Sequence, residues 1–207
     1  MLGRLVEVVS GRSLPEFFAE RIFQPLGMVD TFFTVPVDKQ PRVVKAYDRS
    51  AKGALVPLPP YSMTPKFFSA AGNVFSTPSD YLRFCQMLLG KGQIQGPRGA
   101  DGKPAGIRLL SRKSVELMTA RHVESYPMAF LAGQQVGLGL AVRTASGESG
   151  LLGSAGTFGW SGGYNTYFRI DPEEDLILLL FVQQAFNPGE LEIQYGFHNV
   201  VMQAIDD

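Results

Sequence analysis

The sequence predicts an α+β fold, an antiparallel sheet with a C-terminal helix packed on it and part of a helical lobe beside it. Three observations carry this. Helical patterns and loops occupy the chain as far as about residue 130. Strand patterns then crowd together from Val136 to Gln184, joined by connections too short for parallel crossovers. A last amphipathic stretch, with Leu191, Tyr195, His198, Val201 and Ile205 on one side, closes the chain as a helix. Helices first, then strands in a meander, then one covering helix is the order of an α+β domain.

The early elements follow from local signals. Leu2, Leu5, Val6 and Val9 share a helical face that no capping residue precedes, as if the helix began in mid-turn upstream. Ser10-Gly11-Arg12 breaks it. Ser13-Leu14-Pro15-Glu16 is a capping box, and Leu14, Phe17, Phe18 and Ile22 form the apolar face behind it. Pro25-Leu26-Gly27 ends that helix, with Gly27 left-handed. Thr31 to Val35 is β-prone. Val37 to Pro60 reads as irregular, with one weak hairpin around Gly53. Ser69-Ala70-Ala71-Gly72-Asn73 is small enough to let chains approach closely. Thr77-Pro78-Ser79-Asp80 opens a helix with Tyr81, Phe84, Cys85 and Leu88 on its buried stripe, stopped at Gly90. Gln95 to Gly106 reads as a mobile loop, and Ser111 starts a further helix carrying Val115 and Met118.

The later elements are read by their period of two. Val136, Leu138, Leu140 and Val142 alternate with Gly137, Gly139, Ala141 and Arg143, a strand with one nearly bare face. Thr144 to Ala155 is a Gly/Ser turn region. Phe158-Gly159-Trp160-Ser161-Gly162-Gly163 then sets bare residues around the only Trp of the chain. Tyr164, Thr166, Phe168 and Ile170 alternate with Asn165, Tyr167, Arg169 and Asp171. Asp171 to Glu174 turns the chain, and the apolar run within Asp175 to Gln184 reads as a fully buried strand. The segment is read as a hairpin whose first strand exposes a stripped backbone edge. Glycines in a strand serve either tight packing or the close approach of a ligand, and spacing leaves both open. Asn187 to Glu190 caps the closing helix.

Bulk composition narrows the function. The 207 residues carry 19 basic and 19 acidic side chains, a formal net charge of zero without a basic stripe, which argues against nucleic acid as a partner. The apolar run Leu176–Val182 is too short to span a bilayer. A single Cys, Cys85, excludes an internal disulfide and reads as core filler. His122 and His198 lack the neighbours of a metal site, and no cofactor is implied. His122 stands at a helix end, where a cation suits the dipole. His198 reads as a packed helix residue. The absence of a leader says nothing about compartment.

Several ordered segments resemble the serine β-lactamase and penicillin-binding-protein family, closest to its class C-like and carboxylesterase branch. Leu2 to Gly11 resembles the helix after the family's Tyr-x-Asn box. Ile22-Phe23-Gln24-Pro25-Leu26-Gly27-Met28-Val29-Asp30-Thr31 is similar to its Pro-Leu-Gly-Met signature, and Gly72 to Asp80 to its turn into a helix. Phe158 to Gly163 stands in the place of the Lys-Thr-Gly box, where the esterase branch shows Trp-x-Gly. The resemblance covers essentially all 207 residues. It implies hydrolysis of a small ester or β-lactam-type amide through an acyl-enzyme. It also implies that the Gly163 amide donates to the oxyanion. Trp160 and Ser161 would line the acyl pocket, Gly162 would permit the approach, and Tyr164 would flank it.

The nucleophilic machinery is missing from the pattern. No Ser is followed by Lys three residues later, the spacing that puts both on one helix face. Tyr-x-Asn is absent; Tyr164 and Asn165 are adjacent. The expectation is one incomplete domain over residues 1–207, a C-terminal portion inactive alone. About 1–130 would be helical lobe and loops, and about 131–207 strands and closing helix. Two other readings stand beside it. One is a non-catalytic module that binds or self-associates through an exposed sheet edge. The other is an intact enzyme with Ser161 or Ser69 as nucleophile, which requires an oriented base.

Overall fold

The computed structural model describes residues 1–94, 106–123, 133–144, 150–185 and 192–205. They form two compact units: Met1–Val44 with Pro59–Leu109, and Lys45–Leu58 with Leu110–Asp207. All but Gly106 of the expected loop Gln95–Gly106, residues 145–149 of the expected turn region Thr144–Ala155, the expected cap at Asn187–Glu190 and Leu191 lie outside the described residues.

In the first unit, α1 (Leu2–Ser10) ends at Gly11, left-handed at φ 67°. Its burial differs from the expected stripe. Leu2, Leu5 and Val9 are exposed, and Gly3 is the buried residue. The reason is close approach: a Cβ on Gly3 would stand 3.1 Å from the Ala70 Cβ and 3.2 Å from Leu14 Cδ2. The small-residue run at Ser69–Asn73 is what comes near. The Ser13–Glu16 capping box forms as expected and starts α2 (Leu14–Phe18). A π-helical segment (Ala19–Phe23) then leads into α3 (Gln24–Leu26), which Gly27 closes at φ 67°. Phe18 and Phe33 meet edge to face at 5.4 Å, as do Phe33 and Phe68 at 5.7 Å.

Thr77 caps α4 (Pro78–Leu89) by accepting from Asp80 N at 3.2 Å. Asp80 does more than face the helix dipole. It is buried and accepts from Asp30 N at 2.6 Å and Thr31 Oγ1 at 2.8 Å, pinning the turn after Gly27 to the start of α4. Thr31–Val35 makes only one bridge, Phe32 to Phe75. Cys85 is fully buried, and burial pushes its thiol up to about 12. That is core filler, as the sequence indicated. A short pair, β3 (Gln93–Ile94) and β4 (Ile107–Arg108), completes this unit.

The second unit contains the weak hairpin expected around Gly53, β1 (Tyr47–Arg49) against β2 (Leu55–Pro57). Ser111 caps α5 (Arg112–Thr119). The main sheet is an antiparallel meander in chain order: β5 (Gln134–Val136), β6 (Ala141–Arg143), β7 (Phe158–Ser161), β8 (Tyr167–Asp171) and β9 (Leu176–Leu180). The three expected strands are therefore five, and the last, expected to be fully buried, buries only Leu178 because it ends the strand order and has a neighbour on one side alone. Val136–Arg143 divides because Gly137 N donates to Leu140 O at 2.8 Å around a left-handed Gly139. The closing helix is α6 (Glu192–Met202). Its buried stripe is Gln194, His198 and Met202, spaced four apart, whereas Ile205 is exposed and Val201 half-buried. Of the expected side, among the described residues, His198 is buried, Tyr195 and Val201 are half-buried, and Gln194 and Met202 share the buried stripe with His198.

Candidate active site

The candidate stretch at Phe158–Phe168 is a hairpin and not one strand. Between β7 and β8, Gly162 N donates to Thr166 O at 2.8 Å and Asn165 N donates to Gly162 O at 3.1 Å. Asn165 is left-handed at φ 60°, a conformation Asn tolerates better than most residues. Gly163 and Tyr164 are therefore the central pair of a β-turn. Two glycines followed by Tyr and Asn were the signal for this turn. The alternation through Tyr164–Asp171 obscured it.

Register sorts the remaining candidates. Trp160 lies opposite Phe168 and Ser161 opposite Tyr167. Neighbouring residues of a strand face opposite sides, so Trp160 shares a face with Phe158, Phe168 and Ile170. Ser161 shares the other with Gly159, Arg169 and Asp171. The expected stripped edge is short, because β7 is an inner strand. Ala141 and Val142 pair with Gly159 and Phe158, and only Trp160 and Ser161 extend past the last β6 partner.

The glycines separate by what a side chain would meet. A Cβ on Gly159 would sit 2.1 Å from Phe168 O, inside the sheet. One on Gly162 would sit 2.2 Å from Thr166 Oγ1. One on Gly163 would meet nothing within 4 Å. Gly159 and Gly162 are thus accounted for by packing within the hairpin. Gly163 is exposed, its open side faces no neighbour, and its N–H has no partner among the described residues. A fixed peptide N–H beside open space can donate to a carbonyl oxygen or to the oxyanion formed from it.

A polar layer lies beneath the sheet on the α6 side. Every residue of β8 is buried, including Arg169 and Asp171. His198 is buried, and its Nε2 lies 2.8 Å from Leu152 O, so Nε2 carries the hydrogen. Nδ1 then accepts from Tyr167 Oη at 2.8 Å. Burial, with Arg169 and Arg143 nearby, holds the imidazole below its ordinary pKa, so it is neutral. Arg143 donates to Leu151 O and Leu152 O. The Arg169 guanidinium lies 4.5 Å over the Tyr167 ring. Burial works against the Asp171 charge. The amides of Ser154, Glu174 and Glu173 and the Thr157 hydroxyl outweigh it and keep the carboxyl below the usual carboxylate range.

Both ring nitrogens of His198 are therefore occupied, and neither is left to activate Ser161. His122 Nε2 lies 2.8 Å from Leu117 O at the end of α5. Ser69 Oγ accepts from Ala71 N within its own turn. Among the described residues, no three His, Cys, Asp or Glu side chains are grouped to hold a metal ion. The residues that sequence reading missed are the buried amides Asn165, Gln184 and Gln194. No local signal marks them, since isolated amides in a sequence read as surface.

The family model described as Beta-lactamase matches residues 1–199. An uncharacterised protein of Mycobacterium tuberculosis is 36% identical over 191 residues, 89% of this chain and 47% of that protein. Penicillin-binding protein 4 of Amycolatopsis lactamdurans is 29% identical over 181 residues, 87% of this chain and 44% of that protein. Among solved structures, unliganded simvastatin synthase from Aspergillus terreus matches with a TM-score of 0.73 at 23% identity, over 99% of this chain and 54% of that one. EstCE1, described as a hydrolase with promiscuous acyltransferase activity, matches with a TM-score of 0.75 at 21% identity, over 97% and 54%. These two structural likenesses show the fold. This chain spans about half the length of the relatives it matches. With most of its sequence matched by the family model and its sheet and helices laid out as in these structures, the chain belongs to the beta-lactamase family.

Proposed function

We propose that this chain supplies the C-terminal portion of a β-lactamase-like serine hydrolase that acts on a small ester or a β-lactam-type amide through an acyl-enzyme. Residues 1–207 are one incomplete domain of that enzyme. The Gly163 N–H donates to the oxygen of the carbonyl under attack. Trp160 and Tyr164 flank the acyl group, with Ser161 and Gly162 completing the wall beside the turn. The observation that carries this reading is the open side of Gly163, the one glycine of the three that packing does not explain. Relatives named penicillin-binding protein 4 and monacolin J acid methylbutanoyltransferase are in keeping with this chemistry.

The nucleophile, its base and the proton-relaying Tyr come from outside these residues, because neither Ser-x-x-Lys nor Tyr-x-Asn occurs among them. A donor without a nucleophile forms no acyl-enzyme, so the chain alone is inactive. Trp160 in the place of the Lys favours an ester, since no cation stands there to meet a substrate carboxylate.

The test is an amide NMR titration with a monoalkyl phosphonate, whose charged oxygen mimics the tetrahedral intermediate. The Gly163 amide should shift saturably. Gly163→Pro removes the N–H at a turn position Pro commonly occupies, and should abolish binding while the fold persists. An unmoved Gly163 amide refutes the assignment.

A further inference from the structure

At the turn, the buried amides of Asn165 and Gln194 and the backbone of a third buried residue, Gln184, form a linked set that the chemistry above does not use. Asn165 is completely buried, Gln194 is 1% exposed and Gln184 7% exposed. Gln194 Nε2, on α6, donates to Asn165 Oδ1 at 3.0 Å. Asn165 Nδ2 donates to the Gln184 backbone oxygen, just beyond β9, at 3.4 Å. The Asn165 backbone in turn closes the turn through its N–H to Gly162 O. A side chain on a helix is thus linked through one residue to the loop that presents Gly163. Two amides buried in this way are costly to leave unpaired, so each holds the other in place.

We infer that Asn165 and Gln194 are positioning residues, through which α6 fixes the orientation of the Gly163 N–H. Asn165 acts at two levels. Its backbone supplies the left-handed residue that ends the turn, and its side chain anchors that residue to α6. Left-handed backbone alone is available to glycine, so the two contributions can be separated. The catalytic meaning of the pin rests on the proposed role of Gly163. The pin itself does not.

The experiment is 15N relaxation of the 207-residue chain and its variants, with thermal melts to confirm folding. In the parent the Gly163 amide should be as ordered as the sheet, with an order parameter near ~0.85. Gln194→Met keeps length and removes the donor, and should lower it below ~0.6 while the β8 amides stay rigid. Exchange of the Asn165 amide should rise about tenfold. Asn165→Gly keeps the backbone conformation and loses the anchor, and should match Gln194→Met. If Gln194→Met does not fold, Asn165→Gly decides alone. A rigid Gly163 in a folded Gln194→Met or Asn165→Gly protein overturns the inference. Phosphonate binding is read separately. A mobile turn in the variants with no phosphonate response in the parent sinks the oxyanion role and leaves the pin standing.

Discussion

Replacing Gly159, Gly162 and Gly163 one at a time by Ala should give three different stabilities, in an order set by the space each Cβ finds. At Gly159 the new carbon stands 2.1 Å from Phe168 O, a backbone atom of the neighbouring strand. Ordinary contact needs more than 1 Å of further separation, and β7 and β8 are held together by four residue pairs from Phe158–Ile170 to Ser161–Tyr167. Neither strand can yield without breaking ladder bonds, so the cost should reach about 3 kcal/mol, the upper range for overpacking. At Gly162 the clash is with Thr166 Oγ1 at 2.2 Å, a side-chain atom that can rotate away, and about 1 kcal/mol is expected. At Gly163 nothing lies within 4 Å and the backbone is not left-handed. Ala there should be neutral, or stabilising by about 0.5 kcal/mol through the unfolded chain. Urea unfolding followed by fluorescence is suited to this, because the only Trp of the chain, Trp160, sits within β7 itself. A Gly163→Ala loss as large as that of Gly159→Ala would mean that Gly163 is a packing glycine, and the ligand-facing assignment would fall.

Further outcomes follow from the polar layer and the sheet edge. His198 is buried neutral, with Tyr167, Arg169, Arg143 and Asp171 around it, and its folded pKa lies below the ordinary 6.5. The unfolded chain binds that proton more readily, so its contribution should be complete above about pH 6.5 and decline as the pH falls below it. Asp171, held low by its hydrogen bonds, should lose its contribution only at pH values below 3.8. Urea titrations across pH 3–8 should show the first decline in the parent and lose it in His198→Leu. That variant should itself cost about 1–3 kcal/mol at pH 7.5, chiefly by orphaning Tyr167 Oη. β9 ends the strand order of the main sheet, with Ile177 and Leu179 half-buried. Light scattering should detect concentration-dependent association through that edge, reduced in Leu179→Lys; unchanged mass in that variant would place association elsewhere.

Local chemistry made much of the fold legible. The Ser13 and Thr77 caps, the left-handed Gly27 and the Gly53 hairpin depend on a few adjacent residues, and all four form as read. Errors arose where a period of two or four ran through a turn or met a neighbour distant in sequence. Alternation from Tyr164 to Asp171 concealed that Gly162 to Asn165 turns the chain. Apolar Leu2 and Val9 concealed that Gly3 is what packs, because the partner is Ala70, far along the chain. The amides of Asn165 and Gln194 were invisible for the same reason: residues 29 apart in sequence pair only after the sheet and α6 have formed. The bareness of the Gly159–Gly163 stretch was plain, but its division into packing and open positions required the opposing strand.

The most direct measurement is intact-protein mass spectrometry of the purified chain after incubation with a fluorophosphonate, and separately with a penicillin. The mass should be unchanged with both reagents, in the parent and in Ser161→Ala. One stoichiometric adduct, mapped to a serine of this chain, would contradict the account by showing that the polypeptide carries its own nucleophile.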